Sequence, residues 1–565
     1  MYIPILVAAS LAATQVAAQE TGEHTDWPRW CGKVYEAGYP SFEPGGETTE
    51  PVDNGSTYLH VQFKPRYSLY LDGEPGASFV VNAALSPWYG LPWSNATSSG
   101  NTTKPFDELF FTISLVSSGA VLVEDSIPVN ATGAEYDFDL SSIAPSTTPY
   151  DVVLSGSSEY GDWHDNVTSQ LLYLPDNPEG SATKIDNLKG GLLFKSPDTD
   201  NAFQPILPYG YYGLYNGSNS TDAADDFVRN YTSDGQGLNA IISLAGFDDG
   251  NPVYTSMDQQ KLRFMYDLRT WYQNLSIVEE HVNTVKNHTS IFAYWTADEP
   301  DGHQAPFDAP SNAQALIHQL DPYHPVAVTL NCQDYYFGPY SAGADILMED
   351  VYPIAINATF SKWNTTCNAT LGDCGCDNCA GDVWDVPSRL DDLVTYEKWL
   401  GRWPLPKFHN PQVFHGEDYW FRDPTAGEAR VMNALAFNRG VTGIFGWTWP
   451  GSWELFDVHT AMAQVVTQPP VRDFLLGGKP AAIVYDGSDP GVLDMAYWTA
   501  DGQVLVSVVN GGGVDLEGPL SIGVPGGATA IESVAFGNLS WQFADGQLSI
   551  DTLPAMTASF VILSE

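Results

Sequence analysis

The chain has 565 residues, too many for one hydrophobic core, so two or three domains are expected. Its 69 acidic against 23 basic side chains leave a formal net charge of −46, which excludes nucleic acid and anionic membrane as partners, because a polyanion gains nothing by meeting another. Aromatic residues make up 13% of the chain beside 51 Gly and 39 Pro, the composition of a rigid, loop-rich protein whose surface aromatics can stack on sugar rings.

Residues 1–18 carry an apolar core over 3–13 and end in Val16-Ala17-Ala18, small residues of the kind a signal peptidase accepts. They predict a signal peptide cleaved after Ala18 and a secreted, extracellular product. No later run reaches the roughly 18 apolar residues of a membrane span, and no hydrophobic tail of anchor length closes the chain. About fourteen Asn-x-Ser/Thr sequons, Asn54, Asn95, Asn130, Asn216, Asn274, Asn287, Asn364 and Asn538 among them, fit an N-glycosylated protein. The six cysteines are Cys31, Cys332, Cys367, Cys374, Cys376 and Cys379. The last four crowd into a Gly- and Asn-rich stretch that needs stapling, and an oxidising route disfavours free thiolates. All six are therefore read as disulfides in preference to zinc ligands, with connectivity open.

Three zones follow the signal segment. Over 19–200, short alternating runs such as 58–63, 78–83 and 109–116 are separated by Gly, Pro, Ser and Thr clusters, the pattern of an N-terminal β-sandwich domain. Over 201–469, strand-like and helical runs alternate, as a central (β/α)8 barrel requires. Over 470–565, hairpin-like runs at 502–509 and 543–560 predict a small C-terminal β-domain. The expected barrel strands are 206–214, 238–244, 263–267, 291–295, 326–330, 346–351, 412–415 and 443–448, with helices at 276–287, 310–320, 388–400 and 427–439. A doubly wound open sheet is the alternative, but no glycine-rich phosphate fingerprint follows any strand.

Reactive groups in such barrels sit at the carboxyl ends of the strands. Strand four, Ile291-Phe-Ala-Tyr-Trp, runs on through Thr-Ala to Asp298 and Glu299. Strand six ends in Glu349, Asp350 and Tyr352; strand seven carries Gln412 and then His415, Glu417 and Asp418; strand eight ends in Trp447 and Trp449. Carboxylates beside aromatics suit glycosidic bond cleavage, where one acid protonates the leaving oxygen and a second group stabilises the anomeric carbon. Asp298, Glu299 and Glu417 are the catalytic candidates, and Asp350, Tyr352, Gln412, His415, Trp447 and Trp449 the substrate-binding ones. Arg422 is read as holding its loop, with Asp418 as partner. The bland alternative for Asp298-Glu299 is a helix-capping acidic loop, with Pro300 in the first turn. No Gly-x-Ser-x-Gly elbow and no His-Glu-x-x-His occurs, and neither a metal nor a cofactor is expected.

At these residues the chain resembles the retaining glycoside hydrolases of the clan with (β/α)8 barrels, in which an acid/base Glu follows Asn and precedes Pro at the end of strand four. Trp295-Thr-Ala-Asp298-Glu299-Pro300 takes that pattern, with Asp298 where the clan has Asn. The order of Tyr294-Trp-Thr-Ala-Asp-Glu-Pro-Asp-Gly302, Asp350-Val-Tyr-Pro, Cys374-Gly-Cys-Asp-Asn-Cys379 and Asp418-Tyr-Trp-x-Arg422-x-Pro-Thr is similar to that of secreted fungal glycosidase-like proteins, over about 207–449. The resemblance implies an oligo- or polysaccharide substrate and two competing mechanisms. In one, Glu299 is general acid/base and Glu417 the nucleophile, giving retention at a β-glycosidic bond. In the other, as in β-N-acetylhexosaminidase families with an Asp-Glu couple, Asp298 orients a substrate acetamido group that attacks the anomeric carbon while Glu299 serves as acid/base. A barrel that has lost catalysis and serves as a carbohydrate-binding or cell-wall structural protein is the reading from a different class.

Overall fold

The computed structural model describes residues 24–215, 220–234, 237–244, 252–485, 491–525 and 527–564. The expected signal segment and the sequon at Asn216 lie outside the described residues.

Tyr58–Pro65 alternates half-buried and buried positions residue by residue, so Leu59, Val61 and Phe63 all enter one core. The same period builds two four-stranded antiparallel sheets. One runs Val121–Pro128, Glu108–Leu115, Tyr150–Ser157, His164–Leu171, and the other Ala134–Phe138, Ala77–Ser86, Tyr58–Pro65, Leu91–Pro92. Their inner faces share one cluster in which Leu59, Phe63 and Phe79 meet Leu109, Ile113 and Leu154, the sandwich expected from the alternation. Arg66 ties the sandwich to the next segment through a buried bidentate pair with Asp186, 2.7 Å at both nitrogens.

A three-stranded sheet, Ala182–Ile185, Leu192–Lys195 and Gln204–Ile206, follows. Its Ile185, Leu192, Phe194 and Ile206 share a cluster with the barrel interior, so this sheet plugs the barrel from below.

The barrel is closed by eight parallel strands: β1 Tyr209–Gly213, β2 Ala240–Ser243, β3 Arg263–Asp267, β4 Ile291–Asp298, β5 Val326–Leu330, β6 Ile346–Glu349, β7 Lys407–His409 and β8 Gly443–Trp449. Pairing of β1 with β8, Gly210 opposite Phe445, completes the circle. Strand β4 is buried at every position before Asp298, as a strand covered on both faces must be. Inside, Tyr212, Met265, Phe292, Trp295, Met348, Phe408 and Phe445 fill the barrel. Outside lie α1 Thr221–Asp234, α2 Pro252–Gln260, α3 Leu275–Val285, α4 Ala309–Leu320, the single turn α5 Phe337–Tyr340, α6 Asp385–Trp399, α7 Ala426–Phe437 and α8 Trp453–Val466.

Seven expected strands are found, two with identical bounds. The seventh is a correction: it is Lys407–His409, not 412–415. Apolar alternation in Gln412-Val-Phe-His looks more strand-like than three residues set between prolines, yet pairing with β6 and β8 chooses the latter. Gln412 keeps only an isolated bridge to Trp447. Helices α1, α2 and α8 were not foreseen; α1 is too rich in Asp and Asn for its helical period to stand out.

The C-terminal residues form a five-stranded antiparallel sheet, Ala481–Ala482, Leu493–Ala500, Gln503–Asn510, Thr557–Ser564, Ala530–Phe536, with a three-stranded one beside it. Phe560 meets Phe437 of α7 at 6.4 Å, which seats this unit on the barrel.

Phe292 is fully buried in the barrel and stacks on Phe445 at 6.2 Å. Phe292→Ala should cost about 3–5 kcal/mol, read as a lower midpoint of denaturant unfolding; an unchanged midpoint would contradict the packing described.

Candidate active site

Strand β4 ends at Asp298, and Glu299 turns into the left-handed region at φ 45°, its N–H still donating to the Thr329 carbonyl at 3.1 Å. Adjacent residues of a strand face opposite ways. The turn releases that constraint, and both carboxyl groups line one cavity of about 240 Å³ at the carboxyl ends of the strands. Asp350, Tyr352, Glu417 and Trp447 line it too, joined by Trp30, Tyr212, Asn331, Asp373 and Tyr419.

Glu299 is held well above the usual carboxylate range, first by burial and then by Asp350, Asp298 and Asp301. Asn331 donates its amide to Glu299 Oε1 at 3.1 Å. Asp350 is also pushed up, by burial first, and its Oδ1 is buried without a hydrogen-bond partner. Contact between the two carboxyls favours the protonated form of Glu299 and the ionised form of Asp350, against a burial that raises both. Beneath them Glu349 is fully buried, one oxygen on His409 Nδ1 and the other accepting from the Val351 N–H at 2.9 Å. Glu349 thus braces the strand end and stays out of the cavity.

Asp298 is raised by burial and drawn back by Arg269, whose guanidinium reaches it at 3.5 Å and Asp267 at 3.3 Å. That guanidinium also lies over the rings of Trp295 and Trp447, at 5.1 and 5.5 Å. Tyr212 stands between the same two indoles, its hydroxyl receiving Asn410 Nδ2 at 2.9 Å.

Glu417 comes from a tight tip in which Gly416 and Trp420 pair with each other, eight residues beyond the end of β7. Glu417 and Asp418 both take positive φ there, 55° and 64°. Glu417 is exposed at this tip; the protein packed around its carboxyl raises it, with Lys362 opposing. Trp420 locks the tip by donating Nε1 to the Tyr352 carbonyl at 2.7 Å.

Other expected binding residues have different neighbours. Gln412 spends both ends of its amide on backbone, accepting from Ile354 N–H at 2.9 Å and donating to the carbonyls of Ile354 and Phe414. His415 pairs with Asp423 at 2.8 Å on the exposed side of its loop. Trp449 packs edge-on against Phe227 and Tyr231, outside the barrel. None of the three lines the cavity. Arg422 does hold its loop, but through both oxygens of Glu428 at 2.8 Å and not through Asp418.

Sequence reasoning passed over Asn331, although it directly follows β5 and a search of every strand end would have found it. Asp301, in the same motif as Glu299, has a supporting role that its position in the sequence does not reveal. It is buried and accepts the N–H groups of Gly302 and Cys332 at 3.0 and 2.8 Å, fixing the loop that carries Asn331. Trp30 carried no signal. It reaches the cavity because the disulfide Cys31–Cys332 draws the hairpin of Arg29–Trp30 and Lys33–Val34 onto the barrel mouth. The other cysteines pair as Cys367–Cys374 and Cys376–Cys379, so no thiolate is left for zinc.

The chain matches no protein-family model and no curated protein. Among solved structures it is similar to an Anoxybacillus α-amylase, at 11% identity over 64% of this chain and 98% of that one, with a TM-score of 0.43. It is likewise similar to a GH30 endoxylanase from Clostridium papyrosolvens, at 11% identity over 64% and 97%, TM-score 0.40. A β-D-glucuronidase from Dictyoglomus thermophilum gives 11% over 70% and 62%, TM-score 0.32, so this chain spans less than two thirds of its length. Likenesses this distant assign nothing; the barrel rests on its own closed pairing and the site on its own side chains.

Burial pushes Asp267 and Asp301 up to about 6, against 3.8 for an ordinary Asp. A carboxyl raised in the folded state stabilises the fold fully below pH ~4 and loses that contribution as pH rises through about 6, on the order of 2–3 kcal/mol per group. The thermal midpoint of Asp301→Asn should therefore fall less than that of the wild type between pH 4 and 6; parallel profiles would refute the shift.

Proposed function

We propose that the chain is a secreted glycoside hydrolase that cleaves β-glycosidic bonds with retention, with Glu299 as general acid/base and Glu417 as nucleophile. One observation carries the reading: a carboxyl kept protonated by burial and by neighbouring acids opens onto the same cavity as a carboxylate on a separate loop, over a floor of Tyr212 and Trp447. Asp350 is the neighbouring acid that acts most strongly on Glu299, and in this reading its part is to favour the protonated form of Glu299. In the first step Glu417 bonds to the anomeric carbon as the glycosidic C–O bond breaks, and Glu299 gives its proton to the leaving oxygen. In the second, water attacks that carbon, Glu299 takes back a proton and the bond to Glu417 breaks. The three disulfides support secretion.

A second reading is favoured by the turn at Glu299, which lets Asp298 line the cavity beside it. In that reading a substrate acetamido oxygen replaces Glu417 as the attacking group and Asp298 orients its N–H.

Hydrolysis of aryl β-glycosides with and without a 2-acetamido group separates these. Glu299→Gln should lose 10²–10⁴-fold in kcat/KM toward substrates that need protonation of the leaving group. Glu417→Gln should be inactive until azide is added and then release a glycosyl azide. Activity confined to acetamido sugars, lost in Asp298→Asn and kept in Glu417→Gln, selects the second reading. Silence of the wild type across aryl glycosides and natural polysaccharides leaves a carbohydrate-binding or cell-wall structural role.

The pH profile supplies a further test. Glu299 works protonated, so activity falls as pH rises through its elevated pKa; Glu417 works ionised, so activity falls as pH drops through its own, also raised. Both limbs of the kcat/KM bell should lie above the ordinary carboxylate range, and an alkaline limb near pH 4–5 would exclude Glu299 as the acid.

A further inference from the structure

The catalytic cavity has a neighbour of the same size. A second cavity of about 240 Å³ lies between the loop 367–379 and the N-terminal hairpin, and the two cavities share Trp30, Asp373 and Gly375 in their walls.

Both sides of the second cavity are rigid. Two disulfides close the loop over a dozen residues. The hairpin is fixed by Cys31–Cys332, and Trp30 stands edge-on to His303 at 4.8 Å. Its ring lies over Gly302, where a Cβ would come within 2.5 Å of it, so the residue after Asp301 is small because the indole needs the space. Lys33, the cation in this wall, is buried against Asp377 and the amide oxygen of Asn378, which spends its charge inside the protein. Asn378 likewise spends both ends of its amide, on Lys33 and on Gln333, so what remains toward a ligand is the Trp30 indole, the Asp373 carboxylate and backbone amides. That set recognises a neutral ring with one apolar face and several hydroxyl groups. Rigid walls lower the entropy lost on binding it.

We propose that this second cavity is a subsite for the sugar next to the one cleaved, with Trp30 as the wall that couples the two, so that the chain prefers an oligosaccharide to a glycoside of a small aglycone. The proposal rests on the glycosidase reading. Because Trp30 comes from a segment 301 residues away from its anchor Cys332, the second ring is read by chain outside the barrel.

The test uses the aryl β-glycoside hydrolysed best among gluco, galacto, manno, xylo and N-acetylglucosamine forms, and the β-linked di-, tri- and tetrasaccharides of that sugar. The wild type should show kcat/KM at least tenfold higher for the disaccharide unit with a second ring than for the methyl glycoside. Trp30→Ala should lower the ratio of oligosaccharide to aryl glycoside kcat/KM by tenfold or more. Leu371→Trp, which fills the second cavity from its far wall, should lower the same ratio, with thermal midpoints checking that each variant is folded. Calorimetric titration of Glu299→Gln should give affinity that rises from mono- to disaccharide. Hydrolysis of monoglycosides with no gain from a second ring, or an unchanged ratio in both variants, overturns the subsite alone. Failure of every glycoside to react or bind overturns the glycosidase reading with it.

Discussion

Negative charge gathered at the mouth of the barrel is the constraint on which the rest of this site depends. Asp298, Glu299, Asp301 and Asp350 converge at the ends of β4 and β6, and burial is the largest influence on the titration of each. Like charges so close and so poorly solvated cannot all ionise. The fold answers in three ways: the Arg269 guanidinium takes Asp267 and Asp298, the N–H groups of Gly302, Asn331 and Cys332 face Asp301, and Glu299 and Asp350 are pushed toward their protonated forms. The last answer leaves Glu299 held toward its protonated form, the property on which the proposed reaction rests.

That arrangement demands rigid support, and the support comes from all parts of the chain. The plug sheet closes the barrel floor with Phe194 and Ile206, while Trp295 and Tyr212 fill the layer under the acids. Asp301 holds the loop after β5, which holds Asn331 against Glu299. The same loop carries Cys332, so the disulfide to Cys31 joins the N-terminal hairpin to the positioning of the acid. Glu417 is placed by different means, a hairpin tip pinned to the loop after β6 through Trp420. Glu299 and Glu417 are thus held by independent pieces of structure. The distance between them follows from barrel closure and from loop anchoring together.

The zones of alternating strands, the eight-strand count and the acids ending β4 were legible in the sequence, because each depends on local period or on adjacency along the chain. Strand β4 shows this well: an unbroken apolar run bounded by Asp-Glu-Pro is a statement about burial and termination that any neighbour would respect. The role of Asp350 was half legible, as a strand-end acid without its partner. Strand β7 was not, since its three residues carry less signal than the four that follow Pro411. Nor were the duties of Gln412, His415 and Trp449, whose side chains turn away from the cavity toward backbone, Asp423 and Phe227.

The sequence by itself determined the barrel, its β-rich flanks and the chemical character of its mouth, since hydrophobic period and strand-end position are properties of neighbouring residues. Only the tertiary structure decided which acids face one another, which pair with Arg269, and that Trp30 belongs to the site. Those are distances between residues far apart in the chain, set by the closure of the barrel and by the disulfide that joins cysteines 301 positions apart.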